Sequence, residues 1–308
     1  MKYWDKAWQL IDGCSPVSAG CDNCWSAGMT HRFKQGLTYD KGKFTGEIIT
    51  REDKLSLPLN TKKTKKTTVW SVWNDLFLAS ESFIWSAINT MRLRPQHTFL
   101  ILTKRIEKAA QICSFLKFPL PNHIWIGASI ENQQTADERI PHLLQILGKK
   151  FLSIEPMMGN IDLKLNDEFP DQDGCYEDAR HNIAQVICGG ETGPHARPCH
   201  PDWVRSIRDQ CQEAGVPFLF KGWGEWGSYC ERKKENKKWI LQRHIPTKDK
   251  RWGTLDLQGN WFENTTPWNG RQEDDSETGE VVMVRVGHKA AGRLLDGVEH
   301  NDLAWRKL

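Results

Sequence analysis

The sequence predicts an α/β protein in which a partial or full parallel β/α barrel over residues 1–226 is followed by an irregular C-terminal extension over residues 227–308. Three observations favour this fold. Short apolar stretches rich in β-branched and aromatic residues recur at intervals of roughly 25 to 35 residues, which leaves room for a strand, a helix and two loops. Near-continuous apolar strands are typical of a parallel sheet covered by helices. Many such units in succession favour a barrel over an open Rossmann-type sheet, which is the alternative.

The predicted strands differ in length but share a polar end. The first is short, at residues 7–11, and the later ones are predicted at residues 67–75, 98–105, 124–131, 151–155, 184–191 and 217–221. The segments between them have helical periodicity, most clearly residues 201–215, where Pro201 lies near the start and Gly215 at the end. Beyond Trp226 this pattern is lost, and only residues 281–286 predict a further strand. Because chemistry in such barrels sits at the carboxyl ends of the strands, the polar strand ends are candidate site residues.

The composition of the chain argues against a disordered protein and against a membrane protein. The chain has 308 residues, 39% of them apolar, and a net charge of +3. It is too apolar for a disordered chain, and its charge is too small to require a polyanionic partner. No apolar run approaches the ~20 residues that a membrane span needs, and the first residues carry charge and Trp instead of a signal-peptide core. The sequence therefore predicts a soluble cytoplasmic protein that does not bind a membrane.

Three of the nine cysteines lie close together in the loop that follows the first predicted strand, at Cys14, Cys21 and Cys24. In a reducing cytosol, clustered thiols indicate a metal site before a disulfide. Three thiolates are one ligand short of a closed tetrahedral site. They predict a [4Fe-4S] cluster whose fourth iron binds S-adenosylmethionine and which generates a 5'-deoxyadenosyl radical, or a structural zinc site completed by His31, or thiols that hold no metal.

The spacing of these cysteines differs from the usual radical S-adenosylmethionine signature. That signature has three residues between its first two cysteines, two before the third, and an aromatic residue directly ahead of the third. Here six residues separate Cys14 from Cys21, two separate Cys21 from Cys24, and Asn23 takes the aromatic position. The location of the loop, after the first strand of a β/α barrel, favours the cluster over zinc.

The sequence resembles a bacteriophage and prophage family of three-cysteine proteins of unknown function that is regarded as radical-SAM-like. The resemblance rests on blocks that run nearly from end to end, at residues 13–24, 102–105, 153–156, 189–194, 220–224 and 290–297. Trp25 stands where the family usually has Tyr. The resemblance implies a radical-SAM-like barrel, a [4Fe-4S] cluster, S-adenosylmethionine and a flavodoxin- or ferredoxin-type electron donor in the host cytoplasm. A phage setting also suggests DNA modification, such as radical isomerisation of a nucleotide or a hypermodified thymine.

Two groups of strand-end residues are candidates for binding the cofactor. Asn74 and Asp75 follow the second strand, where radical-SAM enzymes place polar groups that bind the methionine ammonium, although Asp75 is equally suited to cap a helix. Gly189, Gly190 and Glu191 spell the ammonium-binding tripeptide of those enzymes, but several strands too late in the chain. The two glycines instead predict close approach of the backbone to a ligand, such as ribose or the methionine carboxylate, or a tight turn.

Charged residues end the remaining strands and are the catalytic candidates. Lys104, followed by Arg105, suits a carboxylate or phosphate. Glu131 and Glu155 suit ribose hydroxyls, a substrate amine or proton transfer, and Lys221 ends the last clear strand. Because desolvating unpaired charges is costly, several charges at one mouth indicate a site better than any single one does.

Basic clusters at residues 62–66, 232–238 and 248–251 adjoin Trp239 and Trp252. Such clusters can hold a phosphate backbone and stack a base, or can be solvated surface loops. Together with the resemblance, they support a nucleotide or DNA base as the substrate. The alternative function is a zinc-stabilised, non-catalytic protein that binds nucleic acid or a host partner.

Overall fold

The computed structural model of the chain describes residues 2–32, 37–60, 67–115, 119–170, 176–178, 183–228, 230–235, 238–243, 251–264 and 279–307. Seven parallel strands form its main sheet, and their spatial order is their order along the chain. They are β1 (Lys6–Gln9), β2 (Val69–Trp73), β3 (Thr98–Thr103), β4 (Ile124–Ser129), β5 (Lys149–Ile154), β6 (Ile183–Gly189) and β7 (Phe218–Gly222). A Rossmann-type sheet reverses its strand order at a switch point, so the unbroken order excludes that alternative. The sheet curls into a half-barrel, which confirms a mixed α/β fold compatible with a partial barrel.

Helix α1 (Trp25–Arg32) packs near the short strands Tyr39–Asp40 and Lys43–Phe44. The convex face of the main sheet is covered by α2 (Glu81–Arg92), α3 (Ile106–Cys113), α4 (Gln133–Leu144) and α5 (Pro201–Glu213). The short α6 (His288–Ala291) contacts the strand Trp226–Ser228. The helix starts follow local capping rules: in α4, the Asn132 side chain accepts from the backbone N–H of Thr135 in a capping box. The α5 helix confirms the predicted one, with Pro201 at its first position. None of the helices in the described ranges is long and apolar enough to cross a bilayer.

The concave face is filled at its amino-terminal half. Alternate strand residues point inward there and form one buried cluster with Trp305, namely Val69, Leu100, Trp125, Phe151, Ile187 and Leu219. Gly127 makes room for this packing, because a Cβ at that position would collide with the Phe151 ring. The centroid of the Trp305 ring lies 5.2 Å from that of Trp125 and 5.7 Å from that of Phe151. These side chains fill the amino-terminal half of the concave face, which we call the floor of the half-barrel, and the polar carboxyl ends of the strands lie above it.

The two ends of the described chain join the edge strands β1 and β7. Asn301 forms an antiparallel bridge with Leu219 of β7. From there the chain reaches Trp305, whose indole N–H donates to the Tyr3 carbonyl at 3.3 Å, and Arg306, which pairs with Asp5 at 2.9 Å. Tyr3 and Asp5 directly precede β1, so these contacts link the two sides of the half-barrel.

The region after residue 226 is more regular than the sequence predicted. Four short strands form an antiparallel sheet in the spatial order β8, β11, β9, β10, where β8 is Trp226–Ser228, β9 is Trp252–Leu255, β10 is Trp261–Glu263 and β11 is Val281–Arg285. The prediction of an irregular extension is corrected here, and the predicted strand at 281–286 is confirmed.

Further antiparallel pairs join Cys230–Glu235 to Lys238–Arg243, Glu168–Pro170 to Tyr176–Asp178, Ile11–Asp12 to Ile49–Thr50, and Tyr39–Asp40 to Lys43–Phe44. Strands of two to four residues are too short to show an alternating pattern, which is why most of them were missed.

Candidate functional site

The loop that carries Cys14, Cys21 and Cys24 lies across the carboxyl ends of the parallel strands. It runs from the short strand Ile11–Asp12 to helix α1 and includes a 3-10 turn at Ala19–Cys21. All three cysteines are free thiols of intermediate exposure. Hydrogen bonds from the ends of strands β2, β3, β4 and β6 position the loop and its neighbouring segments, and they use several of the predicted residues.

Glu131, after β4, holds the middle of the loop. Its carboxylate accepts a hydrogen bond from the Ser18 hydroxyl at 2.8 Å and pairs with Arg139 of helix α4 at 3.2 Å and with Lys104. Gly20 packs directly on the Glu131 side chain, since a Cβ there would lie 2.6 Å from its Cγ. These three partners fix the Glu131 side chain, so it has little freedom to give way.

Asp75, after β2, has all its acceptor positions filled by the protein. Its two oxygens accept from the Phe77 and Lys104 backbone N–H groups at 3.1 and 3.2 Å, from the Thr103 hydroxyl at 2.7 Å and from Arg105 at 2.8 Å. A carboxylate has about four lone-pair sites. Asp75 therefore caps its own turn and orients Arg105, which also donates to the Ser15 carbonyl in the cysteine loop.

Asn74 plays a similar part at the other end of the loop. It adopts a left-handed backbone conformation with φ 59, which asparagine tolerates better than most residues. Its amide donates to the Ile11 carbonyl at 3.0 Å and accepts from the Ser26 hydroxyl at 2.8 Å. Asn74 thereby ties the segments on both sides of the three cysteines to the end of β2. The prediction that Asn74 and Asp75 bind an ammonium group stays a prediction, and both side chains already have protein partners.

Glu191, after β6, is joined to the loop by several hydrogen bonds. Arg197 donates to both of its oxygens, at 2.9 Å from Nε and 2.6 Å from Nη2, and the Asn23 amide donates to Glu191 at 3.0 Å. Arg197 also donates to the Ala19 carbonyl at 2.9 Å. We call the three side chains Asn23, Glu191 and Arg197 the latch. It clamps the segment that contains Cys21 and Cys24.

The two glycines ahead of Glu191 have different neighbours. A Cβ on Gly190 would collide with the Trp223 carbonyl, so this glycine allows the chain after β6 to cross the chain after β7. Close backbone packing thus explains Gly190 without a ligand. Gly189 borders the site itself, because a Cβ there would lie 3.3 Å from Lys221 and 3.5 Å from Glu155.

Glu155 and Lys221 form the more open pair of charges. Lys221 pairs with Glu155 at 2.7 Å, and their side chains are 40% and 15% exposed. The second Glu155 oxygen accepts from Ser153 at 3.0 Å and from the Tyr3 hydroxyl at 3.3 Å. Burial, followed by the nearby Glu155 charge, raises the pKa of Tyr3 well above its usual value, so Tyr3 stays a hydrogen-bond donor.

The three thiols have different acidities. Burial raises the pKa of Cys14 to about 11, and it also raises the pKa of Cys24. Burial acts in the same direction on Cys21, but hydrogen bonds from the backbone at Val17 and Ser18 and the charge of Lys104 outweigh it and lower the Cys21 pKa. Thiolates are the metal-binding form, so Cys21 is the thiol that most readily provides a ligand.

Lys104 links the three thiols electrostatically. Burial lowers the pKa of Lys104 to about 8, while negative charge on Cys21, Cys24 and Cys14 acts to raise it. Cys14 in turn senses Cys24 and Cys21, and Cys24 senses Cys21. The protonation states of the three thiols are therefore linked to one another and to that of Lys104.

In the described part of the chain, no group of three or more His, Cys, Asp or Glu side chains is arranged so that it could hold a single metal ion. The backbone of His31, the predicted fourth zinc ligand, belongs to helix α1, but its side chain lies outside the described residues. The side chains of the basic clusters at residues 62–66, 232–238 and 248–250 and the side chain of Trp239 also lie outside the described residues, whereas Arg251 is described.

Several of the predicted strand-end residues lie together at the cysteine loop, beside others that the sequence did not single out. Lys104, Glu131 and Glu191 converge on the cysteine loop as predicted strand-end residues, whereas Glu155 and Lys221 pair with each other beside Tyr3. The missed residues are Ser18, Asn23, Arg139, Arg197 and Tyr3. Ser18 and Asn23 stand inside the cysteine loop, so polar residues among clustered thiols were a usable signal. Arg139 and Arg197 lie in segments with no distinguishing pattern.

Comparison with known proteins places the chain in one family. A family model described as "Protein of unknown function (DUF5131)" matches residues 1–304. Neither a curated protein nor a solved structure matches the chain. The match extends over the seven-stranded sheet, the cysteine loop and the antiparallel sheet alike.

Proposed function

We propose that this chain, which belongs to the DUF5131 family, is a radical S-adenosylmethionine enzyme that holds a [4Fe-4S] cluster through Cys14, Cys21 and Cys24. One observation carries the proposal: a loop with three free thiols lies over the carboxyl ends of a parallel, sequentially ordered half-barrel, held there by buried side chains from the strand ends. The resemblance to radical-SAM-like phage proteins supports it.

The donor set fits the cluster. Three thiols from one loop leave one iron without a protein ligand, which is the arrangement that a cluster needs in order to bind a small molecule. A structural zinc site requires a fourth protein ligand. Hydrogen bonds and the Lys104 charge lower the pKa of Cys21 from its ordinary value, which favours the thiolate form that an iron-sulfur cluster requires. When bound, the cluster would supply the electron that cleaves S-adenosylmethionine to a 5'-deoxyadenosyl radical, which abstracts hydrogen from the substrate.

The residues of the chain itself divide into two groups. Glu131, Asp75 and the latch keep the loop in place, because nearly all their polar atoms already have partners in the protein. Glu155 and Lys221 are the half-buried, more accessible pair, and their opposite charges suit a zwitterion, with its ammonium at Glu155 and its carboxylate at Lys221. The methionine moiety of the cofactor has this chemistry. A flavodoxin- or ferredoxin-type protein would be the electron donor.

Anaerobic reconstitution tests the proposal. The wild-type chain should bind iron and sulfide in equal amounts, absorb broadly near ~400 nm and release 5'-deoxyadenosine from S-adenosylmethionine. Cys21→Ala should lose iron and activity. Cys113→Ala is the matched control, because Cys113 is a buried cysteine on helix α3 and should keep both.

Two results would overturn it. Zinc without iron in anaerobically purified protein would favour the alternative, a zinc-stabilised protein without catalysis, and His31→Ala would then release the zinc. A loaded cluster that never cleaves S-adenosylmethionine would leave the metal site but remove the enzymatic proposal.

A further inference from the structure

Three tryptophans form a continuous wall on the side of the mouth next to β1 and β2. Trp73 is the last residue of β2 and faces the concave side, since its neighbour Val72 packs into the convex core. Its ring lies 4.8 Å from that of Trp25 and 6.5 Å from that of Trp4, with edge-to-face geometry in both pairs. Trp4 packs against the concave cluster, and Trp25 directly follows Cys24. We call these three residues the tryptophan wall.

Trp25 is exposed to a degree that core packing does not explain. Its side chain is 53% exposed, whereas six other tryptophans are fully buried. Among the tryptophans that the structure describes, Trp25 is the most exposed. A large indole face left in solvent beside a candidate active site is a surface for a flat ligand, because aromatic rings gain more from stacking than from hydration.

Positive charge flanks the wall. The Lys2 ammonium lies 3.7 Å from the centroid of the Trp4 ring. The Lys221 ammonium lies 5.8 Å from the centroid of the ring of Tyr3, the residue directly before Trp4. The nearby acids each pair with a cation: Asp5 with Arg306, Glu155 with Lys221, and Asp22, three residues before Trp25, with Arg197 at 3.5 Å. A flat aromatic surface with cations beside it is complementary to a nucleotide, whose base stacks and whose phosphate pairs with ammonium groups.

We propose that the tryptophan wall is the substrate-binding surface of the mouth, that Trp25 stacks on a nucleobase and that Lys2 contacts its phosphate. The inference rests on the proposed function for the chemistry that follows, since a base stacked on Trp25 lies next to the loop of Cys24. The base belongs to a free nucleotide or to a single-stranded DNA. The binding itself requires neither a cluster nor turnover, so it is measured separately.

The test is binding of a fluorescein-labelled oligothymidylate to the wild-type protein by fluorescence anisotropy, with thymidine monophosphate as competitor. Trp25→Ala should weaken binding about 5- to 150-fold, which is the effect of removing one stacking partner. Trp25→Tyr keeps a stacking ring and should stay within about 3-fold of wild type. Phe115→Ala is the control, because Phe115 is a 79% exposed aromatic outside the wall and its removal should change nothing.

Competition by the free nucleotide identifies a monomeric substrate, and binding of the oligomer without competition identifies single-stranded DNA. The inference is overturned if the wild type binds neither probe, or if Trp25→Ala binds as tightly as Phe115→Ala. Iron content and 5'-deoxyadenosine release are measured on the same samples. A protein that cleaves the cofactor but ignores both probes removes this inference alone, and the reverse result removes the radical function alone.

Discussion

The latch offers a sharp test of how the cysteine loop is held, through the substitution Arg197→Ala. Glu191 is 5% exposed and Arg197 is 33% exposed, so the two partners differ in what their removal leaves behind. Without Arg197, a buried carboxylate keeps only the Asn23 amide and one backbone N–H. Without Glu191, the guanidinium can turn to solvent. Breaking a buried pair costs about 3–5 kcal/mol, and an exposed group recovers most of that through hydration.

We therefore expect Arg197→Ala to destabilise the loop by about 3 kcal/mol and Glu191→Gln by about 1–2 kcal/mol. Hydrogen exchange of the backbone amides at residues 19–24 measures the loss of loop stability as faster local opening. Urea unfolding measures how much of that loss also lowers the free energy of unfolding of the whole protein. The control is Arg251→Ala, which breaks an ion pair of 2.7 Å whose side chains are both about half exposed. Its cost should stay below about 1 kcal/mol. Equal effects of Arg197→Ala and Arg251→Ala on unfolding and exchange would refute the reasoning.

Three further predictions concern the fold and the loop. Trp305→Ala should lower the free energy of unfolding by about 3–5 kcal/mol, because it leaves a cavity in the floor of the half-barrel. Trp305→Phe should cost less because it keeps part of the ring. A loss under about 1 kcal/mol for Trp305→Ala in a urea titration would contradict the packing described. Burial lowers the pKa of His97 and of His200, so the unfolded chain binds more protons than the folded one below about pH 6.5. The contribution of these two histidines to stability should therefore be fully present above pH 7 and be lost as the pH falls below about 6.5, and a urea midpoint that rises on acidification over this range would be the contrary result. Gly20→Ala should displace the loop from Glu131 and reduce iron loading, whereas Gly28→Ala, which meets no atom within 4 Å, should load normally.

The strands of the main sheet were predictable because each is a run of apolar residues with a polar end. Their observed bounds lie within two residues of the predicted ones at nearly every end, and the predicted charges do stand at the carboxyl edge. Burial on both faces leaves a strong local signal in the sequence. The roles of those charges left no such signal. Asp75 and Glu191 resemble ligand-binding residues in the sequence, and only their partners show that they brace a loop.

Partners far apart in the chain account for most of what the sequence did not reveal. Arg197 reaches Ala19 across 178 positions, and the Tyr3 hydroxyl reaches Glu155 across 152. No periodicity or spacing rule connects such residues. The antiparallel sheet escaped prediction for a different reason, since its strands are short and their Trp-rich sequence is typical of cores and of exposed surfaces alike.

The junction of Tyr3 with Trp305 has a consequence for biosynthesis. These residues are 302 positions apart, so a nascent chain exposes the bare inner surface of its curved sheet until Trp305 has left the ribosome. During that interval the unsealed apolar lining is a target for chaperones and for self-association. A ribosome that stalls before Trp305 would release a half-barrel without its plug, and the cell would have to refold or degrade it.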